Sequence, residues 1–424
     1  MMLTCRNSFG PSTLLVVLLS IALTGLPPFL AHTSAGDWPQ ILGPHRNGEA
    51  DNETLADTWP AGGPKTVWQR PVGRGYAGLA VAGKTAILFH RVENEERVEA
   101  MDAGSNKGLW HFTMPTSYVS GISSDDGPRC VPVIHGDKVI VFGVQGSLAC
   151  IRLTDGHKEW SHDTHAEFRA SEGYFGAGSS PIVEGDKVIV NVGGAKSGAG
   201  VVAFSLATGK PLWQVAHQDA SYSSPVAATV GKTRHLIVET RLATYSLDPE
   251  NGNVRFQIPF GQRGPTVNGA NPTVIGDRLF LTASYGVGAV YARIGDAAIE
   301  TLWASDDVLS TQYATCIADR GVLYGINGRD DQGSASLRCV DPEKQKVLWE
   351  KENFGYATLL KADGKLLAQK TDGTLVLLRL DPTRSIELAS AQVFNTKTFA
   401  LPALSAGRLF VRDEHTLKCL DLRR

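Results

Sequence analysis

Between residues 179 and 213 the chain writes a unit that it then repeats. Ser179-Ser-Pro-Ile-Val-Glu-Gly-Asp-Lys-Val-Ile-Val190 leads through a glycine-rich turn into Val201-Val-Ala-Phe-Ser-Leu-Ala-Thr-Gly-Lys-Pro-Leu-Trp213. The apolar runs are too short for helices and suit strands. Gly185-Asp186, the run Gly193 to Gly200 and Thr208-Gly209 supply residues that let a chain reverse. The core pattern, small-x-Asp-x-x-Thr-Gly-x-x-x-Trp, slides along the sequence. Copies fall at Ala100, Asp102, Gly108 and Trp110, at Cys150, Gly156 and Trp160, and at Ala203, Ser205, Thr208, Gly209 and Trp213. Ser246, Asp248, Asn251, Gly252 and Phe256 form a fourth, with Phe in place of Trp. Trp303 closes a degenerate fifth, and Cys339, Asp341 and Trp349 form a sixth. Asp381-Pro382 begins a seventh that lacks the aromatic, and Cys419 and Asp421 begin an eighth that the chain end cuts short.

The missing last strand of the eighth copy lies at the other end, in Lys65-Thr-Val-Trp68-Gln-Arg-Pro-Val. Val67-Trp68 matches Leu109-Trp110, Leu212-Trp213 and Leu348-Trp349. An N-terminal strand that completes the last unit closes a ring and removes exposed sheet edges. The spacing of about 47 residues suits one four-stranded blade. Residues 64–424 therefore read as an all-β, eight-bladed propeller of antiparallel blades closed around Trp68. Seven blades is the count if the fifth or seventh copy is misread.

Net charge is −2 with 20% charged residues, and no basic stripe with interleaved aromatics appears, so nucleic acid has no electrostatic case. Arg6, the apolar run Leu14 to Leu23 and Thr33-Ser-Ala35 read as a signal peptide over residues 1–35. The run is short for a membrane span, so the mature chain is expected to be exported, periplasmic or extracellular, without a stable membrane span. Cys5 precedes the apolar run and offers no lipid-attachment site after it. Cys150, Cys339 and Cys419 take the register of Ala100 and Ala203, which makes them small buried residues of separate blades rather than disulfide partners.

Residues 36–63, opening Gly36-Asp-Trp38-Pro-Gln-Ile-Leu-Gly43-Pro-His-Arg46-Asn-Gly48, form a turn-rich preface expected to lie across one face with Trp38 buried. Gly78-Leu-Ala-Val-Ala-Gly83-Lys84-Thr85 satisfies a phosphate-loop pattern. Ala86-Ile-Leu-Phe89 follows it as a strand, whereas phosphate binding needs a helix N-terminus there. Tyr76, Tyr222, Tyr356 and Phe399 precede inner strands in one register, with Tyr313 one residue away. Arg129 fills the column in blade 2, and Gly178 and Gly269 leave gaps in blades 3 and 5. This column either packs between neighbouring blades or walls a funnel for a planar ligand or a peptide. Two polar loops carry acids, Thr116 to Arg129 with Asp125 and Asp126, and Asn327 to Gly333 with Asp330 and Asp331. His157, His162 and His165 cluster, but two of them three residues apart on an extended strand face opposite sides, a poor start for zinc. No nucleophile-elbow serine occurs.

The repeat resembles the tryptophan-docking motif of pyrroloquinoline quinone (PQQ) β-propellers over roughly residues 36–424. The Asp37-Trp-Pro-Gln and Gly43-Pro-His-Arg-Asn-Gly opening and the Tyr324-Gly to Asn327-Gly-Arg-Asp stretch are similar to exported PQQ-like propellers of unassigned function. The resemblance implies two kinds of activity. Quinoprotein dehydrogenases hold PQQ between a tryptophan floor and a disulfide of adjacent cysteines, with Ca²⁺ and a catalytic aspartate. This sequence has no Cys-Cys pair and no spare tryptophan floor, and neither the Ca²⁺ ligands nor that aspartate map onto it. The other kind, like the propeller of the outer-membrane β-barrel assembly machine, is a non-enzymatic scaffold. The sequence therefore reads as an exported binding scaffold without cofactor, catalytic residues or metal. Its contact surface for a protein or extended polymer is Tyr76, Arg129, Tyr222, Tyr313, Tyr356 and Phe399. The alternatives are a PQQ- and Ca²⁺-dependent dehydrogenase, or a carbohydrate-active enzyme using two of the four loop acids.

Overall fold

The computed structural model describes residues 1–4, which carry no helix or strand, and residues 36–423. The signal and cleavage-site reading falls outside the described residues. Among them, thirty-two strands form eight four-stranded antiparallel sheets. Seven sheets are consecutive in sequence. The eighth joins Ala403–Ser405, Arg408–Arg412 and Thr416–Asp421 to Lys65–Pro71. Trp68 stands opposite Cys419, as ring closure requires. The chain is an eight-bladed β-propeller.

Every copy of the repeat falls into one register. Ala100 pairs with Trp110, Cys150 with Trp160, Ala203 with Trp213, Ser246 with Phe256, and Cys339 with Trp349. The weak fifth and seventh copies are true blades, with Tyr291 opposite Trp303 and Leu377 opposite Ala389. In the blades with Ala, Ser or Cys on the third strand, that small residue leaves room for the large ring beside it.

The indoles then bolt one blade to the next. Nε1–H of Trp68, Trp110, Trp160, Trp213, Trp303 and Trp349 donates to Ala103, Leu153, Leu206, Pro249, Pro342 and Asp381 carbonyls at 2.7–3.3 Å. Each such bond contributes about 0.5–1.5 kcal/mol net, and the ring contact adds apolar burial. Gly209 is needed twice at such a contact. Its φ is +74°, and a Cβ there would lie 2.8 Å from the Trp160 ring. Blade 1 departs from the sequence reading here. The turn residue equivalent to Gly209 is Asn106, at φ 62°, not Gly108. Asn tolerates the left-handed region better than most residues.

The core is circular rather than central. Apolar clusters fill the seams between neighbouring blades, such as Ile87, Phe89, Val139 and Val141 between blades 1 and 2, and one cluster runs through both seams of blade 8. All five described cysteines are buried and free.

Two sequence readings are settled by local structure. Gly83-Lys84 is the turn of a hairpin in which Ala82 pairs with Thr85, and Thr85–Val92 is a strand. His165 does not continue an extended strand. Asp163 accepts from Ala166 N–H and caps a short helix, Thr164–Phe168. His162 bonds Glu167 and the Gly209 carbonyl instead.

Candidate functional site

An antiparallel blade places its inner hairpins at one end of the ring and the loops entering its inner strands at the other. The hairpin end is crossed by residues 38–55. Trp38 bridges Val81 in blade 1, and Pro39 accepts from Ile134 in blade 2. Gly48 and Ala50 bond Lys361 in blade 7, and Glu53 accepts from Gly407 in blade 8. Arg46 reaches inward between these attachments, 3% exposed. It donates to the carbonyls of Pro225 at 2.7 Å, Pro181 at 2.9 Å and Ser180 at 3.1 Å, and to Gln40 at 3.0 Å. Burial lowers its pKa to about 9, against the pull of Glu184, and the guanidinium stays charged at neutral pH. Trp38 and Arg46 are thus structural, and the ring is stoppered at this end.

The mouth lies at the opposite end, and the column converges there. Tyr76, Arg129, Tyr222, Tyr313, Tyr356 and Phe399 share one offset from the inner-strand residues that pair with the second strands. Tyr313 is therefore in register, not one residue away. The expected gaps at the glycines are filled. A Cβ on Gly178 would lie 2.5 Å from the Tyr222 ring, and one on Gly269 would lie 2.8 Å from Tyr313 Cβ. Tyr76 meets Phe399 with centroids 5.0 Å apart, and the Arg129 guanidinium lies 5.5 Å over the Tyr76 ring. Burial raises the Tyr222 phenol pKa, and the charge on Arg129 reaches across to lower it.

Tyr356 departs from the contact-surface reading. It is 3% exposed, packs 4.3 Å from Tyr313, and its hydroxyl accepts from the Tyr313 and Ala314 amides. It is a packing residue. Tyr76, Arg129, Tyr222, Tyr313 and Phe399 remain partly exposed.

The loop acids are committed to the scaffold. Asp125 accepts from the Gly75 and Gly127 amides at 2.7 and 2.8 Å. Asp126 accepts from Ser120 N–H and Arg74. Asp330 accepts from Thr371 at 2.6 Å, and Asp331 pairs with Arg329, which holds its carboxyl below the usual range. A glycosidase needs a carboxyl raised toward neutrality to serve as acid, and Asp331 is shifted the other way. No group of three or more His, Cys, Asp or Glu set to hold a metal ion occurs among the described residues.

Two features of the mouth were missed in the sequence. A cavity of ≈ 470 Å³ opens between blades 3 and 4, lined by His165, Glu172, Asn191, Asp219, Tyr222 and Arg241 among others. Nearby, Glu239 ends the strand Thr233–Glu239 fully buried, with Oε1 unpartnered. Both could have been flagged, since Asn191 and Glu239 are polar intrusions at the end of apolar runs. Burial raises the Glu239 pKa well above 4.5. Burial also raises Glu96 to about 7, against a bond from Val144 N–H and the charges of Arg91 and Arg129. Raised carboxyl pKa values mean that the folded state binds more protons than the unfolded chain. Stability is then greatest below the unfolded value near 4.5 and falls as pH rises toward 7. Glu239→Gln should flatten this fall and gain on the order of 1–3 kcal/mol at neutral pH. Chemical denaturation at several pH values measures it, and equal slopes for both proteins would refute it.

A family model described as outer membrane protein assembly factor BamB matches residues 94–351. The chain belongs to that family. Within it, BamB of Burkholderia pseudomallei is 22% identical over 353 residues, covering 73% of this chain and 81% of that protein. The crystal structure of BamB from Moraxella catarrhalis superposes with TM-score 0.60 at 16% identity, covering 84% of this chain and 97% of that one. The likeness of fold extends to quinohemoprotein alcohol dehydrogenase from Comamonas testosteroni. That enzyme superposes with TM-score 0.64 at 14% identity, covering 93% of this chain and 82% of that one. No helix among the described residues is long and apolar enough to cross a membrane.

Proposed function

We propose that this propeller is an exported, periplasmic or extracellular binding scaffold. Its open mouth takes a protein segment or another extended polymer on Tyr76, Arg129, Tyr222, Tyr313 and Phe399. The observation that carries the reading is the asymmetry of the ring. One end is stoppered by Arg46 and its neighbours, while the other presents partly exposed rings beside one guanidinium. Exposed aromatic and Arg side chains in a concave surface are the usual anchors of protein recognition. The relatives named as outer membrane protein assembly factors support a protein as the occupant.

The likeness to quinohemoprotein dehydrogenases raises PQQ as a cofactor, and the residues do not fit it. Six of the eight tryptophans are held in blade-to-blade contacts, and Trp38 is buried at the stoppered end. The described cysteines are single and buried, so nothing matches a floor of indole beneath a vicinal disulfide.

The test is site-directed cross-linking from the mouth in the native host, comparing wild type with a Tyr76→Ala, Phe399→Ala double variant. Loss of cross-linked partners at an unchanged melting temperature is the expected result. Matched losses of stability and cross-linking would return both rings to packing and defeat the scaffold reading at this mouth.

A further inference from the structure

We propose that the cavity between blades 3 and 4 seats a neutral sugar ring. The proposal goes beyond the scaffold reading and does not rest on it.

Two tyrosines wall the cavity, each held by its hydroxyl. Tyr174 is 40% exposed and donates to the Gly264 carbonyl at 3.1 Å. That bond ties the loop between blades 2 and 3 to the loop between blades 4 and 5. Tyr222 is partly exposed, and its hydroxyl accepts from Phe175 N–H at 2.8 Å. Both rings are thus in place before a ligand arrives, which spares the cost of ordering them. The cavity, at ≈ 470 Å³, lies within the range of about 300–1,000 Å³ usual for small-molecule sites.

The lining carries both signs of charge. Glu172 and Asp219 are exposed, and the bonds they receive from Gln145 and Ser171 are both stretched to 3.5 Å. Arg241 sets a fixed guanidinium among them, with Nη2 donating to the Gly264 carbonyl and to Thr266 Oγ1, each at 2.8 Å. The deeper polar atoms take no part. Asn191 Oδ1, His165 Nδ1 and Arg241 Nη1 are covered by their neighbours, so no ligand touches them. What the cavity presents is two ring faces, two carboxylates and the Tyr222 hydroxyl. That hydroxyl donates to nothing among the described residues, so its hydrogen is unspent.

Charge and shape together select the ligand. A cation meets the Arg241 guanidinium, and an anion meets Glu172 and Asp219. A wholly apolar group strips water from two carboxylates and returns no bond to them. A neutral sugar escapes all three penalties. Its hydroxyls both donate and accept. They can donate to Glu172 and Asp219 in charge-assisted bonds and accept from the Tyr222 hydroxyl. The C–H face of the ring meanwhile lies on Tyr174 and buries apolar surface there.

Saturation-transfer NMR titration of the purified protein tests the assignment. The probes are glucose and N-acetylglucosamine, the disaccharides cellobiose and N,N′-diacetylchitobiose, and the charged rings glucosamine and glucuronate. At about pH 6, where the amine of glucosamine is protonated, a neutral sugar should bind about fivefold or more tightly than either charged ring. Tyr174→Ala should weaken that binding about tenfold, while Tyr174→Phe keeps the ring and the affinity. The double variant Glu172→Gln, Asp219→Asn should let glucuronate approach the neutral sugar while melting like wild type, because both side chains are exposed. No saturable binding of any neutral sugar, a charged ring that matches the best of them on wild type, or unchanged binding to Tyr174→Ala overturns the proposal. A disaccharide that binds more tightly than its monosaccharide assigns the ring to a polysaccharide chain, and equal binding assigns it to a free sugar. None of these probes needs the cellular partner, so failure here leaves the cross-linking test at Tyr76 and Phe399 intact.

Discussion

Removing Lys65–Pro71 is expected to destroy the cooperative fold rather than trim its edge. That segment pairs with Thr416–Asp421 from Lys65 opposite Asp421 to Pro71 opposite Thr416. Without it, blade 8 ends in an unpaired strand whose neighbour, Arg408–Arg412, is buried in the core. The loss also removes the Trp68 bond to Ala103, and with it one seam between blades 8 and 1. An open edge of this kind templates pairing with other chains. Light scattering should find aggregates in place of the wild-type species, with no single sharp melting transition. A synthetic peptide of residues 64–72 added during refolding should restore both. A deleted chain that stays dispersed and melts where wild type does would refute closure as the source of stability.

Arg46→Ala is expected to cost about 3 kcal/mol or more, since it leaves several buried acceptors without their donor at about 1–3 kcal/mol each. The substitution leaves the carbonyls of Ser180, Pro181 and Pro225 facing an empty volume. Arg46→Lys should recover little of the loss. A single ammonium cannot reproduce a planar fork that spans two blades. Residues 38–55 would also lose their central anchor, so limited proteolysis within them should quicken. Urea denaturation and timed proteolysis measure the two effects. A loss below about 0.5 kcal/mol, the ordinary range of surface substitutions, with unchanged cleavage would refute the anchoring role.

The ring was legible because its determinants are local and repeated. Val67-Trp68 reads as an outer strand from two residues, Cys419 shares the register of Ala100 and Ala203, and the structure sets the two opposite each other. The mouth column was legible for the same reason, since position before an inner strand fixes which end of the ring a residue reaches. What each residue does there was not legible. Tyr356 and Tyr76 occupy the same register, yet one is capped by the Tyr313 and Ala314 amides and the other is partly open. That difference comes from the loop beside each, not from the repeat. Arg46 could be weighed from sequence only as a preface residue. Its three carbonyl partners lie more than a hundred residues away, and no local pattern announces them. The cavity between blades 3 and 4 depends likewise on the short helix at Thr164–Phe168, where a single capping Asp163 turns an expected strand aside.

The crossing of residues 38–55 makes the toroid a blind cup and not a pipe. Whatever enters past Tyr76 and Phe399 has to leave by the same door. A polypeptide could dip a terminus or a hairpin tip into it, but could not be threaded from one side to the other. Under the proposed binding role, the Arg46 guanidinium, bonded to Ser180, Pro181 and Pro225, would then stand as the floor of such a cup.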